Sequence, residues 1–146
     1  MLIVLALAMT GAVRGEAGNI DRNVAAAIAQ AEDYEAELVR LHVIADSDAP
    51  DAQAFKLKVR DAVLEAVRPL LAECKDAQTA YEIIGENLEE IESAAKKCAQ
   101  AEGFEGDIAA ETGVFRFPER DYAGVIVPEG DYRALRVVIG AGEGRN

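Results

Sequence analysis

The succession of apolar patterns predicts an α+β fold, with a mostly antiparallel sheet covered on one face by an antiparallel helical hairpin, in the order β-α-α-β-β-β. Three observations predict it. A short β-branched run at 38–45 precedes two long stretches with apolar residues at helical spacing, and alternating runs follow them to residue 139. Only Asp76-Ala77-Gln78 joins the two helical stretches, which makes them antiparallel neighbours. The 146 residues are 51% hydrophobic and 29% charged, so one domain can bury a core without metals or disulfides.

The chain opens on Leu-Ile-Val-Leu-Ala-Leu-Ala-Met at 2–9, and the apolar run weakens toward Val13. This length suits the apolar core of a signal peptide and falls short of the ~20 residues that span a bilayer. Thr10 and Ala12 are small enough for a cleavage site. Residues 1–18 are therefore expected to form a signal peptide or membrane anchor, with transient membrane contact through residues 2–13. No Lys or Arg precedes the run, so either a basic region lies upstream of Met1 or the chain starts inside a longer anchor. The competing expectation is a buried N-terminal strand. Residues 19–37 are Ala-rich with an acidic end and read as a helical linker, and residues 38–146 as a single α+β domain.

Residues 38–45, Leu-Val-Arg-Leu-His-Val-Ile-Ala, read as the first strand of that domain. Asp46-Ser47-Asp48-Ala49-Pro50-Asp51 is turn and cap chemistry, with Asp48 the expected N-cap, Pro50 in the first turn and Asp51 favoured by the helix dipole. The helix over 51–72 aligns Phe55, Val59, Ala62, Val63, Ala66, Val67 and Leu70 on one face, and Pro69 predicts a kink or early end. The second helix is expected to open at Thr79 with Glu82 three residues on, a capping box. Its face runs through Ala80, Ile84, Leu88, Ile91, Ala95 and Cys98, and Gly103 stops it. Strands follow at 107–117, 125–127 and 131–139, with Pro128-Glu129-Gly130 a turn.

Charge narrows the function. Lys+Arg 15 against Asp+Glu 27 leaves a formal net charge of −12, which phosphate backbones and anionic lipids repel; no nucleic-acid partner is expected. Residues 73–111 carry 11 acids and 3 bases, and Glu82, Glu86, Glu89 and Glu90 are expected on a solvated face that pairs in part with Lys56, Lys58 or Arg60. An acidic docking surface for a basic partner is the functional alternative. One His and two Cys cannot complete a His/Cys zinc site, and neither a metal nor a cofactor is expected. Cys74 and Cys98 fall at ends of successive helices on the order of 30 Å apart, too far for a disulfide, and read as small packing residues.

Residue types of a hydrolytic triad occur at His42, Ser47 and Asp46 or Asp48, but one strand and its turn hold them all, without a nucleophile elbow or visible oxyanion donors. His42 reads as a half-buried strand residue. Asp46-x-Asp48-x-x-Asp51 lacks the Gly and terminal Glu of a calcium loop, so capping explains it better. Gly140-Ala141-Gly142-Glu143-Gly144 follows a strand, as a phosphate loop does, but no helix follows it before Asn146; a Gly-rich turn is expected. No catalytic constellation emerges.

Longer blocks are more specific. Leu41-His42-Val43-Ile44-Ala45-Asp46-Ser47-Asp48 and Lys56-Leu57-Lys58-Val59-Arg60-Asp61-Ala62-Val63-Leu64 resemble the opening of the stage II sporulation protein R family. So do Phe117-Pro118, Val127 through Val137, and Ile139 through Asn146, in the family's order. Asp46 stands where the family usually has Asn, and Glu129 where it usually has Ala. The family continues past the position of Asn146 with a Trp-Trp-Cys stretch and an apolar, Pro-containing tail, so the chain is expected to be cut short there.

The resemblance implies a signalling role in endospore formation, with export from the forespore into the intermembrane space. The implied partner is a membrane-embedded aspartic protease in the mother cell membrane, which processes the sigma-E precursor. No small-molecule substrate and no enzymatic activity are then expected. The expected contact surface is the strand-to-helix corner (His42, Asp46, Ser47, Asp48) with the C-terminal strand and turn (Tyr132, Arg136, Glu143), all taken as exposed polar groups. The rival expectations are a small secreted hydrolase using Ser47 and His42, and a regulatory module that binds a small ligand.

Overall fold

A computed structural model describes residues 2–5, 33–122 and 124–144 of the chain. Most of the export segment and linker expected at 1–37 lies outside these residues. The described elements are β1 (Leu2–Leu5), α1 (Tyr34–Glu37), β2 (Val39–Ile44), α2 (Pro50–Leu71), α3 (Ala77–Glu86), α4 (Leu88–Ala101), β3 (Ile108–Phe117), β4 (Arg120–Tyr122), β5 (Val125–Val127) and β6 (Gly130–Ile139). The α+β class and the helices-over-sheet arrangement agree with the sequence patterns.

The main sheet has the order β1-β2-β6-β3, and β4 and β5 form a separate antiparallel pair. β6 is central. It runs antiparallel to β3 and parallel to β2, with Val39 opposite Arg133 and Ile44 opposite Val138. The parallel pair makes the sheet mixed, because the whole helical segment between β2 and β3 crosses over the sheet before the chain returns. Alternation along the strands sorts the side chains. Val39, Leu41, Val43, Ile108, Leu135, Val137 and Ile139 face the helices and are buried. Each such aliphatic side chain stabilises the fold by roughly 1.5–3 kcal/mol when fully buried.

α2 covers that face with Val59, Val63, Leu64, Val67 and Leu71. The buried stripe is turned from the expected one. Phe55 and Leu70 lie at its margin, while Leu64, Leu71 and the stems of Lys56 and Arg60 enter it. Long basic side chains bury their methylenes readily. Lys56 Nζ donates to Gln53 Oε1 at 2.6 Å, Arg60 pairs with its neighbour Asp61 at 2.8 Å, and Lys58 reaches across to Glu102 at 2.7 Å. Lys58 lies in the first half of α2 and Glu102 just past the end of α4, as in antiparallel helices. Phe55 and Phe104, 5.0 Å between centroids, close the same end.

The expected second helix is two. Asn87 breaks it; its side-chain Nδ2 donates to Ile83 O at 2.7 Å, and its backbone N–H donates to Ile84 O at 3.1 Å. A side chain that competes for the helix's own carbonyls interrupts the ladder. The apolar spacing continues in phase through the break, which is why the sequence pattern does not show it. Asp76, and not Thr79, caps the segment, with Oδ1 accepting from Thr79 N–H at 2.7 Å. That bond holds the Asp76 carboxyl below its ordinary pKa.

The N-cap of α2 is likewise not the expected one: it is Ala49 and not Asp48, with the helix running from Pro50 where 51–72 was expected. Pro50 at the first helical position forces the residue before it into an extended backbone, so the proline sets the boundary. Gly103 stops α4 as expected, at φ 76°. Phe104 N–H bonds Ala99 O at 2.9 Å and Gly103 N–H bonds Gln100 O at 3.2 Å, the paired bonds of a Schellman turn. Cys74 is a buried free thiol in the core, and Cys98 is a half-buried free thiol at the core's margin, both as packing residues.

Candidate functional site: the strand-helix corner and its glycine clasp

The turn after β2 and the turn after β6 emerge at the same end of the sheet, because the two strands are parallel neighbours. They are bonded to each other. Asp46 Oδ1 accepts from Ala141 N–H at 2.8 Å, Asp46 O from Glu143 N–H at 3.2 Å, and Ala45 O from Gly144 N–H at 2.9 Å. Gly140 N–H reaches Asp107 O at 2.6 Å and Gly142 N–H reaches Ile139 O at 3.0 Å. Five successive amides, 140 to 144, are thus consumed inside the protein. The Gly-rich run is a clasp on the corner, and its amides do not converge on an anion.

Glycine is required where the clasp closes. Gly140 has φ 56°, and a Cβ there would collide with Asp46 Oδ1. A Cβ on Gly144 would lie 2.7 Å from Ala45 Cβ and 2.8 Å from Ser47 O. Residues 41–48 and 139–144, from the two ends of the resemblance, are therefore one structural unit.

The other corner residues take turn roles. Ser47 Oγ accepts from Ala49 N–H at 3.2 Å, and Ser47 O accepts from Gln53 Nε2 at 3.0 Å. Asp48 and Glu143 are exposed, and Asp46 and Ser47 are half-buried. Beside the corner lies an open groove of about 530 Å³, lined by Ser47, Asp51, Phe55, Lys58, Glu102 and Phe104.

The remaining expected contact residues lie on the sheet face away from the helical core. His42 is half-buried on β2, edge-on to Phe117 with 5.8 Å between centroids. Arg136 Nε donates to Glu111 Oε1 at 2.6 Å, and its guanidinium lies 4.3 Å from the centre of the Phe115 ring. Tyr132 corrects the expectation of an exposed contact. It is 0% exposed, its hydroxyl donates to Pro128 O at 2.6 Å, and burial raises its phenol above the ordinary pKa. It anchors the fold.

Sequence reasoning missed Arg40. On an alternating strand it reads as a solvent-facing position, yet it is 0% exposed. Its guanidinium lies 4.5 Å from the Phe117 ring centre and 4.6 Å from that of Tyr132. Desolvated stacking of this kind attracts by roughly 2 kcal/mol. The visible signal was the period-two register placing Arg40 and Tyr132 on one face. Glu35 was missed as well. Its carboxylate accepts from Asp131 N–H at 2.8 Å and docks α1 on the start of β6.

Burial also pushes the Cys74 and Cys98 thiols above their ordinary pKa, away from the thiolate form a nucleophile needs. Among the described residues no helix is long and apolar enough to cross a membrane.

These features define a class: a small α+β domain on a mixed sheet, whose best-built surface feature is a corner clasped by the turn after β6. The chain belongs to the family described as Stage II sporulation protein R (spore_II_R), which matches residues 35–146. It is similar to Stage II sporulation protein R of Bacillus subtilis (strain 168), with 29% identity over 110 residues, 75% of this chain and 49% of the relative. The chain spans about half the length of that relative. No solved structure matches it. The family places the protein in sporulation.

Proposed function

We propose that the protein is an exported signal of endospore formation. Released from the forespore into the intermembrane space, it activates a membrane-embedded aspartic protease of the mother cell membrane that processes the sigma-E precursor. The family match over residues 35–146 carries this reading. The protein acts by recognition and makes or breaks no bond itself. An activator of this kind binds the active state of its protease more tightly than the inactive state.

The surface proposed for that contact is the corner, with Asp48 and Glu143 exposed and Ser47 half-buried beside them, together with His42 and Arg136 on the adjoining sheet face. The corner's support for this role is rigidity. The clasp fixes exposed carboxylates on a bonded turn, so little conformational freedom is lost when a partner binds them. Ser47 and His42 support the non-catalytic reading by their occupations, the hydroxyl closing a turn and the ring packed on Phe117.

The test is complementation in a sporulating strain that lacks its own relative. The exported chain is expected to restore shortening of the sigma-E precursor. The Asp48→Ala, Glu143→Ala double variant is expected to be exported and folded but to restore none. Normal processing by that variant would remove the corner from the contact, and no processing by the parent chain would refute the activating role.

A further inference from the structure

Apart from β1, the main sheet ends on β2 at one side and on β3 at the other, and these two strands are built differently. At β3, Ala110 N–H is taken by the Glu92 carboxylate at 3.0 Å, and Arg116, in the same strand, is exposed and paired with Glu129 and Asp131. Charged, solvated edges of this kind resist pairing with another chain. β2 has none of these devices. Its sequence, Val-Arg-Leu-His-Val-Ile, contains no Pro, Gly or acid, and four of its six residues are buried. It is bound to β6 as a parallel strand, a type normally found inside sheets.

One segment covers the outer side of β2. Leu2–Leu5 lies antiparallel to it, with Leu2 opposite His42, Ile3 opposite Leu41, Val4 opposite Arg40 and Leu5 opposite Val39. The same four residues fall within the apolar run read as an export segment. If export removes that segment, the outer side of β2 loses its strand.

We propose that the outer edge of β2, residues 39–42, is a strand-acceptor site. In the exported, processed chain it takes an extended, uncharged apolar segment of the partner protein, antiparallel, in the place that Leu2–Leu5 holds beforehand. Backbone hydrogen bonds supply the attraction, and alternate side chains supply the selectivity. The inference rests on the export reading and adds to it where and how the partner docks.

The test uses the full chain with Ile3→Pro and Val4→Pro. Adjacent prolines delete an inward-facing backbone donor whichever way the register alternates. The readout is amide hydrogen exchange. In the parent chain the amides of residues 39–42 that face Leu2–Leu5 are expected to be protected. In the variant those amides are expected to exchange roughly tenfold faster or more, while the β2 amides that face β6, and β6 and β3 themselves, stay protected. A soluble Lys-Lys-Leu-Ile-Val-Leu-Lys-Lys peptide is expected to restore protection, and the same peptide with Ile→Pro and Val→Pro is not.

Unchanged exchange in β2, or no rescue by the peptide, overturns the proposal. So does loss of protection in β6 and β3, which would make the first strand a part of the domain. Dimerisation of the variant without peptide would assign the edge to a second copy and overturns it too. None of these readouts involves the protease, so they can fail while precursor processing succeeds, and the reverse.

Discussion

Replacing Asp46 with alanine removes the oxygen to which Ala141 N–H donates, whereas asparagine keeps an oxygen in the same place. Asp46→Ala is expected to cost about 1 kcal/mol and Asp46→Asn to be close to neutral, read as shifts in urea midpoint. Equal losses in both would assign the effect to charge and not to the clasp. The resemblance places asparagine at this position in the family, as a bond that needs an acceptor and not a charge allows. Arg40 makes the opposite demand. Its planar guanidinium lies over two aromatic rings, and a lysine ammonium cannot reproduce that plane. Arg40→Lys is expected to lose about 2 kcal/mol despite the retained charge. An unchanged unfolding midpoint would show that the stacking contributes nothing.

Between elements, Glu92 joins α4 to the edge of β3. Its carboxylate accepts from Lys96 Nζ at 2.8 Å and from Ala110 N–H at 3.0 Å, and these bonds hold its pKa below the ordinary value. A carboxyl depressed in the folded state contributes stability above its unfolded pKa and loses it as pH falls through the folded one. Glu92→Gln is therefore expected to narrow the stability difference between about pH 7 and about pH 3, with parent and variant converging at the acid end. A wider difference in the variant would contradict the assignment. The elements themselves were largely legible, because strand alternation and helical spacing report burial directly. Val125–Val127 and the Gly103 stop sit where the pattern put them. The break at Asn87, the cap at Asp76 and the β4–β5 pair were not legible. Each depends on a local hydrogen bond or short pairing that leaves apolar periodicity untouched.

Across the whole molecule, the candidate surface was legible in part for the same reason. Asp46, Ser47, Asp48 and Glu143 do meet at one corner, since parallel pairing of β2 with β6 brings their following turns together. Tyr132 and Arg40 misled because alternation says which face a side chain takes, not whether that face is covered. The protein that results is a rigid acidic domain, and its proposed work is to be recognised. The most direct test presents the purified chain to membranes bearing both the protease and the sigma-E precursor, and separately to the precursor alone. Cleavage is predicted with the protease present and none without it. Cleavage by the chain alone, or cleavage by the protease at the same rate without the chain, would contradict it.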